Sequence, residues 1–425
     1  MSGVINTNEN RCTGCNRCVR ECPMDIANIT YQDALGDVKV KVDSDKCICC
    51  GVCIGACRHN ARYFTDDTER FFEDLSKGVK ISLIAAPSIR TNLPMWKRLF
   101  TYLKQAGVDK IYDAALGADI CIWSHIKHFE INPESRLITQ PCPVIVNYLE
   151  MYQPEILKYL SPVHSPMACT AIYMMDYENI DTPIAALSPC IAKSDEFRET
   201  GLCQYNVTFV NIREYLLKKH IKLPTEETGF DHYDSGLGVL FPLPGGLKEN
   251  IAYFMDNKVS LDTSEGVSVF KSLNIYSETP ENILPQIFDV LNCADGCNIG
   301  TACSYSPNIF EVNRTLDKCR NQVKQEREKS YYDKIHKQYE EKLDLNKFKR
   351  VYKPKVVKYP PITDFDIERA FKQLGKHDFT AQNIDCYACG NETCYNMARK
   401  VAMKVNIPLN CIVKSIQEVK VLNQD

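Results

Sequence analysis

The chain contains 425 residues, of which 44% are hydrophobic, and its formal net charge is −3 at pH 7. These values exclude a disordered or fibrous protein and leave room for two or three domains, while the absence of a basic stripe argues against nucleic-acid binding. The start of the sequence lacks a signal-peptide pattern, and the most apolar run, residues 79–89, is too short to cross a bilayer, so we expect a cytoplasmic protein without a membrane segment.

The 22 cysteines are the strongest indication of chemistry in the sequence. A secreted disulfide scaffold would be a short chain with an export signal, which this sequence does not resemble. Thiols at close spacing in a cytosolic protein indicate metal binding. Soft thiolates in such numbers favour iron–sulfur clusters or zinc over harder ions.

Residues 1–77 carry the motif C-x2-C-x2-C-x3-C twice, at an offset of 35 residues. Three thiolates on one tight loop can reach three corners of a small cube, whereas a pair of zinc sites is the alternative. The duplication resembles the bacterial two-cluster ferredoxin, in which the fourth cysteine of each half ligates the cluster of the other half. The resemblance implies one 4Fe-4S cluster held by Cys12, Cys15, Cys18 and Cys57 and a second held by Cys22, Cys47, Cys50 and Cys53.

From residue 78 to residue 312 short β-rich runs alternate with helical ones. Such alternation predicts an α/β fold with parallel sheets covered by helices on both faces. Ligands of these folds bind where strands end and helices begin. Strands are predicted at residues 79–88, 110–116, 136–141, 184–189 and 206–211, and helices at residues 91–107, 118–130 and 211–220.

Four cysteines lie at the ends of such segments and could converge on one cofactor. Cys142 and Cys190 follow predicted strands, and Cys293 and Cys297 form a later pair. Pro143 suits the first turn of a helix, so we expect Cys142 at a helix N-terminus, where the backbone amides favour an anionic thiolate. Spacing alone leaves open whether the four thiols meet or whether each is a small core residue.

The stretches around these cysteines are similar to the three cluster-binding signatures of FeFe-hydrogenases. They read "TQPCP", "LSPCIAKSDEF" and "FDVLNCADGCNIGTAC", and "AAPSI" and "SGLGVLFPLPGG" resemble further stretches of the same catalytic domain in the same order. The resemblance implies a catalytic domain of two α/β lobes over residues 78–312. It implies that Cys142, Cys190, Cys293 and Cys297 bind the four-iron part of an H-cluster, and that Cys297 also bridges to a diiron subsite with CO, cyanide and azadithiolate ligands.

The same resemblance assigns the residues of the cofactor pocket. Lys193 matches the lysine that pairs with one cyanide ligand, and Pro87 and Ser88 match the surroundings of the other. The alternative for Lys193 is a solvated surface lysine. Met167, Ser188 and Leu291 stand at pocket positions that other residue types usually occupy.

The proton relay of the family is altered in this sequence. Pro141 stands where a relay cysteine is usual, and proline has no titratable side chain. Ser161 matches the relay serine. His125 and His128 stand where two glutamates are usual and could serve a rerouted proton path, with two partly exposed histidines of no role as the alternative. Cys169 is our candidate for a substitute proton donor, with a packed core thiol as the alternative. These departures resemble the divergent sensory FeFe-hydrogenases and imply slow turnover.

The last part of the chain is predicted to form a charged helical arm with a linker over residues 313–360 and a small iron–sulfur domain over residues 361–425. The arm is either a solvated helix or an assembly surface. Four cysteines in the pattern C-x2-C-x4-C-x16-C fit zinc or a third accessory 4Fe-4S cluster. A similar four-cysteine domain follows the catalytic domain in sensory-type hydrogenases, and the arrangement resembles their group D. The four residues are Cys386, Cys389, Cys394 and Cys411.

The leading hypothesis is therefore a slow FeFe-hydrogenase that interconverts protons, electrons and H2 and senses H2 or redox state. It would carry an H-cluster and three accessory 4Fe-4S clusters in an α/β protein with α+β accessory domains. Expected partners are a ferredoxin-like or other redox protein, hydrogenase maturation proteins and a second copy in a homodimer, with no nucleic acid and no membrane. The alternative is an iron–sulfur scaffold or electron-transfer protein on the same fold that lacks the diiron subsite.

Overall fold

The computed structural model describes residues 3–232, 236–256, 258–303, 308–326 and 329–422. The chain divides into two compact units, one formed by residues 1–65 together with 356–425 and the other by residues 66–355. The predicted N-terminal and C-terminal iron–sulfur domains therefore belong to one unit. Among the described helices, none combines the length and the apolar character needed to cross a membrane.

The N-terminal part of the first unit consists of two small antiparallel sheets and two short helices. Strand β1 pairs with β4, and β2 pairs with β3. Each helix begins directly after a residue in the left-handed region, Asn16 (φ 57°) or Gly51 (φ 77°), which lets the cysteine loop turn sharply. The elements are β1 (Ile5–Thr7), α1 (Arg17–Arg20), β2 (Asn28–Gln32), β3 (Val38–Val42), α2 (Val52–Ala56) and β4 (Arg62–Phe64).

The second unit contains seven strands and twelve helices among its described residues. The strands are β5 (Ile81–Ala85), β6 (Val108–Asp113), β7 (Leu137–Ile138), β8 (Ile184–Ser188), β9 (Tyr205–Thr208), β10 (Leu261–Glu265) and β11 (Ile287–Leu291). The helices are α3 (Thr68–Ser76), α4 (Ile89–Asn92), α5 (Trp96–Gln105), α6 (Ala114–Ile131), α7 (Pro143–Tyr152), α8 (Pro166–Asp176), α9 (Lys193–Thr200), α10 (Phe209–Lys218), α11 (Gly246–Phe254), α12 (Ser268–Glu278), α13 (Ile309–Glu326) and α14 (Lys329–Lys342).

Two parallel sheets organise this unit, which confirms the predicted α/β class. One has the strand order β6-β5-β8-β9 and the other β10-β11-β7. Every residue of β5, β8 and β11 is buried, as expected for parallel strands covered on both faces. The chain leaves β5 toward β6 and returns on the other side at β8, so a crevice opens between the carboxyl ends of β5 and β8.

Helix α6 is the central helix of the second unit. Most of its residues are buried, including His125, so it has no solvent face of the usual width. Its N-terminus is capped by the Asp113 carboxylate, which accepts a hydrogen bond from the Ala115 amide at 3.0 Å. Gly117 allows a close crossing with α8, because a Cβ there would collide with the carbonyl oxygen of Pro166. The crossing brings α6 and α8 together beside the strand ends.

Helix α3 belongs to the second unit, whereas the sequence placed it in the N-terminal domain. The reason is a set of contacts with β9 and α10. The Asp66 carboxylate accepts a hydrogen bond from the Thr208 amide at 2.9 Å, and Asp67 accepts one from the Asn206 amide at 2.9 Å. The Phe72 ring stacks on Tyr215 with the centroids 3.9 Å apart.

The charged arm forms the predicted helices, α13 and α14, but one face of it is buried. Val312, Leu316 and Tyr332 are 2%, 0% and 4% exposed. Tyr332 packs in a cluster with Leu237 and neighbouring apolar residues, so the interpretation of the arm as a wholly solvated helix is wrong. The predicted linker, residues 351–363, has no regular secondary structure.

The C-terminal part of the first unit is a small helical bundle. Helices α15 and α17 pack through Ile367, Phe371 and Met397. This bundle contacts the ferredoxin-like part through a hydrogen bond from the Thr30 amide to the Val405 carbonyl (3.0 Å) and an ion pair between Lys400 and Asp25 (3.0 Å). Its helices are α15 (Asp364–Gln373), α16 (Phe379–Gln382), α17 (Cys394–Ala402) and α18 (Ile412–Leu422).

Candidate functional site

A cavity of about 80 Å³ lies at the carboxyl ends of the strands in the second unit. Four cysteines from three remote segments line it together: Cys142, Cys190, Cys293 and Cys297. Cys142 and the pair Cys293 and Cys297 follow β7 and β11, which are neighbours in one parallel sheet, whereas Cys190 follows β8 in the other sheet. The four thiols therefore face one enclosed space, as the sequence allowed but did not establish.

Local sequence explains how the first of these thiols is held. Cys142 is the N-cap of α7, and Pro143 occupies the first turn of that helix, as predicted. The amides of Ile145 and Val146 donate to the Cys142 carbonyl, so the N-terminus of α7 is fixed at the cavity wall. A helix N-terminus is a favourable place for an anionic sulfur.

Three of the thiols of this cavity do not ionise readily by themselves. Burial, followed by the neighbouring Cys142 thiol, raises the pKa of Cys190 to about 11. Burial and the other cysteines likewise raise the pKa of Cys293 and Cys297 well above the usual range. These three groups become thiolates together only when positive metal ions lie between them.

Most of the remaining cavity wall is apolar. The prolines at positions 87, 141, 143, 166, 189 and 242 line it and present no amide hydrogen there. Met167, Leu291 and Phe241 complete the apolar surface. An apolar cavity with a few placed polar groups is typical of a cofactor site.

The main charged group of the cavity wall is Lys193 at the start of α9. Its ammonium donates to the Glu196 carboxylate, to the Ser165 hydroxyl at 3.1 Å and to the Pro141 carbonyl at 3.4 Å. Burial opposes the positive charge, but Glu196 outweighs it and raises the pKa of Lys193. Lys193 is 7% exposed, so it is not a solvated surface lysine.

Ser88 supplies a second polar group. It follows β5, lines the cavity and is fully buried, and its hydroxyl has no hydrogen-bond partner among the described residues. A buried hydroxyl without a partner is unfavourable unless a ligand accepts its hydrogen bond. Ser88 therefore points to a polar ligand in the cavity.

The other predicted pocket residues have different positions. Pro87, Met167 and Leu291 line the cavity. Ser188 is fully buried at the end of β8, but its hydroxyl donates to the Asn206 side chain at 2.6 Å, and Ser188 is not among the described residues that line the cavity.

Two of the predicted relay residues are in contact. The hydroxyl of Ser161 and Nε2 of His125 are 2.9 Å apart, and Nδ1 of His125 lies 2.7 Å from the Cys121 carbonyl oxygen. Because that carbonyl accepts, Nδ1 carries the hydrogen in the neutral ring. His128 lies instead against the hydroxyl of Ser135, at 3.1 Å.

Cys169 is part of a buried thiol pair. Its sulfur lies 3.6 Å from the Cys121 sulfur, and both thiols donate to the His164 carbonyl. Burial, reinforced by Cys121, raises the pKa of Cys169 well above the usual range. Cys169 is not among the described residues that line the cavity.

Two charged residues of this region were missed in the sequence. Glu196, three residues after Lys193 on α9, is 3% exposed and binds the lysine. Arg350, which follows the charged arm, lies 3.9 Å from Glu196. The spacing of Lys193 and Glu196 on one helix face could have indicated the first contact, whereas no local pattern marks the second.

Three further groups of four cysteines lie in the first unit. A cavity of about 20 Å³ is lined by Cys12, Cys15, Cys18 and Cys57, and one of about 10 Å³ by Cys386, Cys389, Cys394 and Cys411. The remaining four are close enough to interact, because Cys22, Cys53 and Cys47 all raise the pKa of Cys50 in addition to its burial.

The donor sets fit iron–sulfur groups. Each set offers four soft thiols, which suits Fe–S clusters or zinc. Among the described residues, no three His, Cys, Asp or Glu side chains are arranged to hold a single metal ion. The large cavity adds an ammonium and an unpartnered hydroxyl to its four thiols, so it fits an anionic group larger than a cubane.

The state of His125 can be tested by the pH dependence of stability. Burial lowers the pKa of His125 from 6.5 to about 4. Since the unfolded chain takes up this proton at higher pH than the folded chain, the free energy of unfolding should fall as pH decreases from 6.5 toward 4. We expect His125 to contribute about 3 kcal/mol to this loss. His125→Gln should remove that contribution from urea-unfolding curves recorded over the same pH range.

The control for this measurement is His220→Asn, which replaces an exposed histidine. Asp289 acts with the opposite sign, because burial raises its pKa to about 6, so the difference between variants is the quantity to compare. Identical pH profiles for the wild type and His125→Gln would show that the buried ring is not held neutral.

Comparisons with known proteins identify the family of the chain. Residues 79–295 match the family described as iron only hydrogenase large subunit, C-terminal domain, and residues 11–61 match the 4Fe-4S dicluster domain. Iron hydrogenase 1 of Clostridium pasteurianum is 26% identical, over 49% of this chain and 50% of that protein. NADH-quinone oxidoreductase subunit I 2 of Symbiobacterium thermophilum is 30% identical, over 26% and 52%. The chain spans about half the length of these relatives.

Solved structures show the same fold. An FeFe-hydrogenase structure from work on oxygen inactivation of the H cluster has a TM-score of 0.54 and 16% identity, covering 68% of this chain and 99% of the other. A variant of an FeFe-hydrogenase from Chlamydomonas reinhardtii has a TM-score of 0.51 with the same identity and coverage. Since the family match also extends over half of the sequence, the chain belongs to the iron-only (FeFe) hydrogenase family and carries a 4Fe-4S ferredoxin domain at its N-terminal end.

Proposed function

We propose that the chain is an FeFe-hydrogenase that interconverts protons, electrons and H2 at an H-cluster held in the large cavity. The observation that supports this proposal is the meeting of four thiols from three remote segments with Lys193 and Ser88 in one cavity. When bound, the H-cluster supplies iron that exchanges electrons and an amine that exchanges protons. Cys142, Cys190 and Cys293 would bind its four-iron part, and Cys297 would bind and bridge to the diiron part.

Lys193 and Ser88 would orient the two cyanide ligands. Lys193 carries a positive charge with N–H donors, and charge-assisted hydrogen bonds to an anion are stronger than neutral ones. The Ser88 hydroxyl approaches from the end of β5 and has no other acceptor among the described residues. The surrounding prolines, Met167 and Leu291 would exclude water from the reacting groups.

Proton delivery would be slow. Pro141 lines the cavity at the position of the usual relay cysteine and has no proton to give. The Ser161–His125 pair is neutral and deeply buried, and Cys169 faces Cys121 and His164. These contacts support a restricted proton path, which we propose as the reason for low turnover in a group D-like, H2- or redox-sensing hydrogenase.

Three accessory 4Fe-4S clusters would carry electrons. Cys57 lines the same cavity as Cys12, Cys15 and Cys18, which supports the exchange of the fourth cysteine between the two ferredoxin motifs. The C-terminal cavity offers the same donor set of four cysteines as this one, which supports a cluster of the same kind, with zinc as the alternative. Proposed partners are H2, protons, a ferredoxin-like or other redox protein, maturation proteins and a second copy of the chain.

Infrared spectroscopy tests the main proposal. Protein produced with hydrogenase maturation proteins should show bands of bound CO and cyanide, and with a reduced viologen it should evolve H2 detectable by gas chromatography. Cys297→Ala should abolish the bands, because the proposed bridging ligand is lost. Cys319→Ala, which removes a thiol of α13 outside the cavity, should retain them. Persistent absence of the bands would favour the scaffold alternative.

Restoring a thiol at position 141 tests the proton path. Pro141→Cys should raise H2 evolution by about 10²-fold, the lower end of the range for general acid–base catalysis. Pro143→Cys is the matched control, because it also adds a thiol to the cavity wall but on the helix side of Cys142. If Pro141→Cys keeps its infrared bands and gains no activity, proton supply through this position does not limit turnover.

Removing a cysteine tests the C-terminal site. Cys394→Ser should lower the iron content by about four atoms per chain, because a cubane with three thiolate ligands is easily lost. The measurement is metal analysis of the purified chain with Cys319→Ser as the control. Loss of one zinc atom, with the iron content unchanged, would contradict the cluster assignment.

A further inference from the structure

Lys193 is bound by three protein acceptors at once. An ammonium has three N–H donors, and Glu196, Ser165 and the Pro141 carbonyl accept from it. The Glu196 carboxylate is the charged acceptor, and it is buried without being among the described residues that line the cavity. How strongly Glu196 holds the lysine therefore decides how far the ammonium is available to the cavity.

A second cation, the guanidinium of Arg350, lies near Glu196. Arg350 Nη1 lies 3.9 Å from Oε1 of Glu196, and that oxygen accepts no hydrogen bond from a described residue. Arg350 is 9% exposed, and two further hydrogen bonds hold it in place. Its amide donates to the Pro162 carbonyl at 2.9 Å, and its guanidinium donates to the Glu199 carboxylate at 3.0 Å. A buried carboxylate between two cations attracts both of them, so it binds each one less strongly than it would bind a single cation.

The same segment binds a second buried carboxylate. Lys355 Nζ lies 2.7 Å from Glu150, which is fully buried near the end of α7, and the Lys353 amide donates to Glu150 at 3.2 Å. Glu150 and Glu196 thus lie on the helices α7 and α9, which begin at or just after the cavity cysteines. We call Arg350, Lys353 and Lys355 the basic strap. It lies beyond residues 79–295, the part that matches the hydrogenase family.

We propose that Arg350 is a positioning residue that shares the Glu196 carboxylate with Lys193 and so keeps the Lys193 ammonium at the cavity wall. The inference rests on the proposed function for the role of Lys193 toward an anionic ligand. Without Arg350, Lys193 would be the one cation left beside Glu196 among the described ion pairs, and the carboxylate would draw it away from the cavity. The basic strap thereby makes a segment outside the family domain part of the support of the site.

The test in matured protein is the position of the cyanide bands in the infrared spectrum. Arg350→Met should shift them, and Arg350→Lys, which keeps the charge, should bring them back toward the wild-type positions. Lys353→Met is the matched control, because it removes an exposed cation of the same strap that forms none of the described ion pairs with Glu196 or Glu199, and it should leave the bands in place. Unchanged bands in Arg350→Met, or an equal shift in Lys353→Met, would overturn the proposal.

A second test uses the full chain produced without maturation proteins. Arg350→Met should lower the urea midpoint, and it should do so less in a Glu196→Gln background, because the shared charge is then absent. Additive effects of Arg350→Met and Glu196→Gln would overturn the charge sharing. This measurement does not depend on the H-cluster, so a protein without cyanide bands but with coupled midpoints would refute the proposed function and not the contact.

Discussion

Buried thiols that must become anions together inside an apolar cavity are the constraint on which the rest of the second unit depends. Burial and mutual repulsion raise the pKa of Cys190, Cys293 and Cys297, so the arrangement is favourable only around positive metal ions. The fold meets this constraint by placing the ends of β7, β8 and β11 beside one crevice. The N-terminus of α7 at Cys142 and the ammonium of Lys193 add positive charge, which stabilises anionic sulfur in this site.

The strands of the second unit were predictable because parallel strands that are covered on both faces are continuously apolar. Residues 81–85 and 184–188 lie within predicted runs, and Pro143 correctly marked the start of α7. The site cysteines could be named from their signatures, but their meeting in one cavity depends on which strand ends are neighbours. That is a property of the sheet order, which no local stretch contains.

Three other features of the structure were not predicted from the sequence, and the physical reason differs for each. Successive side chains of a strand point to opposite faces, so a shift of one position moves a side chain to the other face. Ser188 at the end of β8 binds Asn206, although its signature suggested that it lines the cavity. The packing of the arm could have been inferred from Val312 and Leu316, four residues apart on one helix face. The joining of the C-terminal bundle to the ferredoxin-like part uses backbone groups, such as the Thr30 amide and Val405 carbonyl, which leave no residue pattern.

The substitution at position 141 has two consequences that belong together. Pro141 offers no proton donor at this point of the cavity wall. Its carbonyl oxygen accepts a hydrogen bond from the Lys193 ammonium at 3.4 Å. Glu196 and Ser165 complete the set of acceptors around the same ammonium. Pro141 therefore lies in the same network of hydrogen bonds that fixes the positive charge of the site.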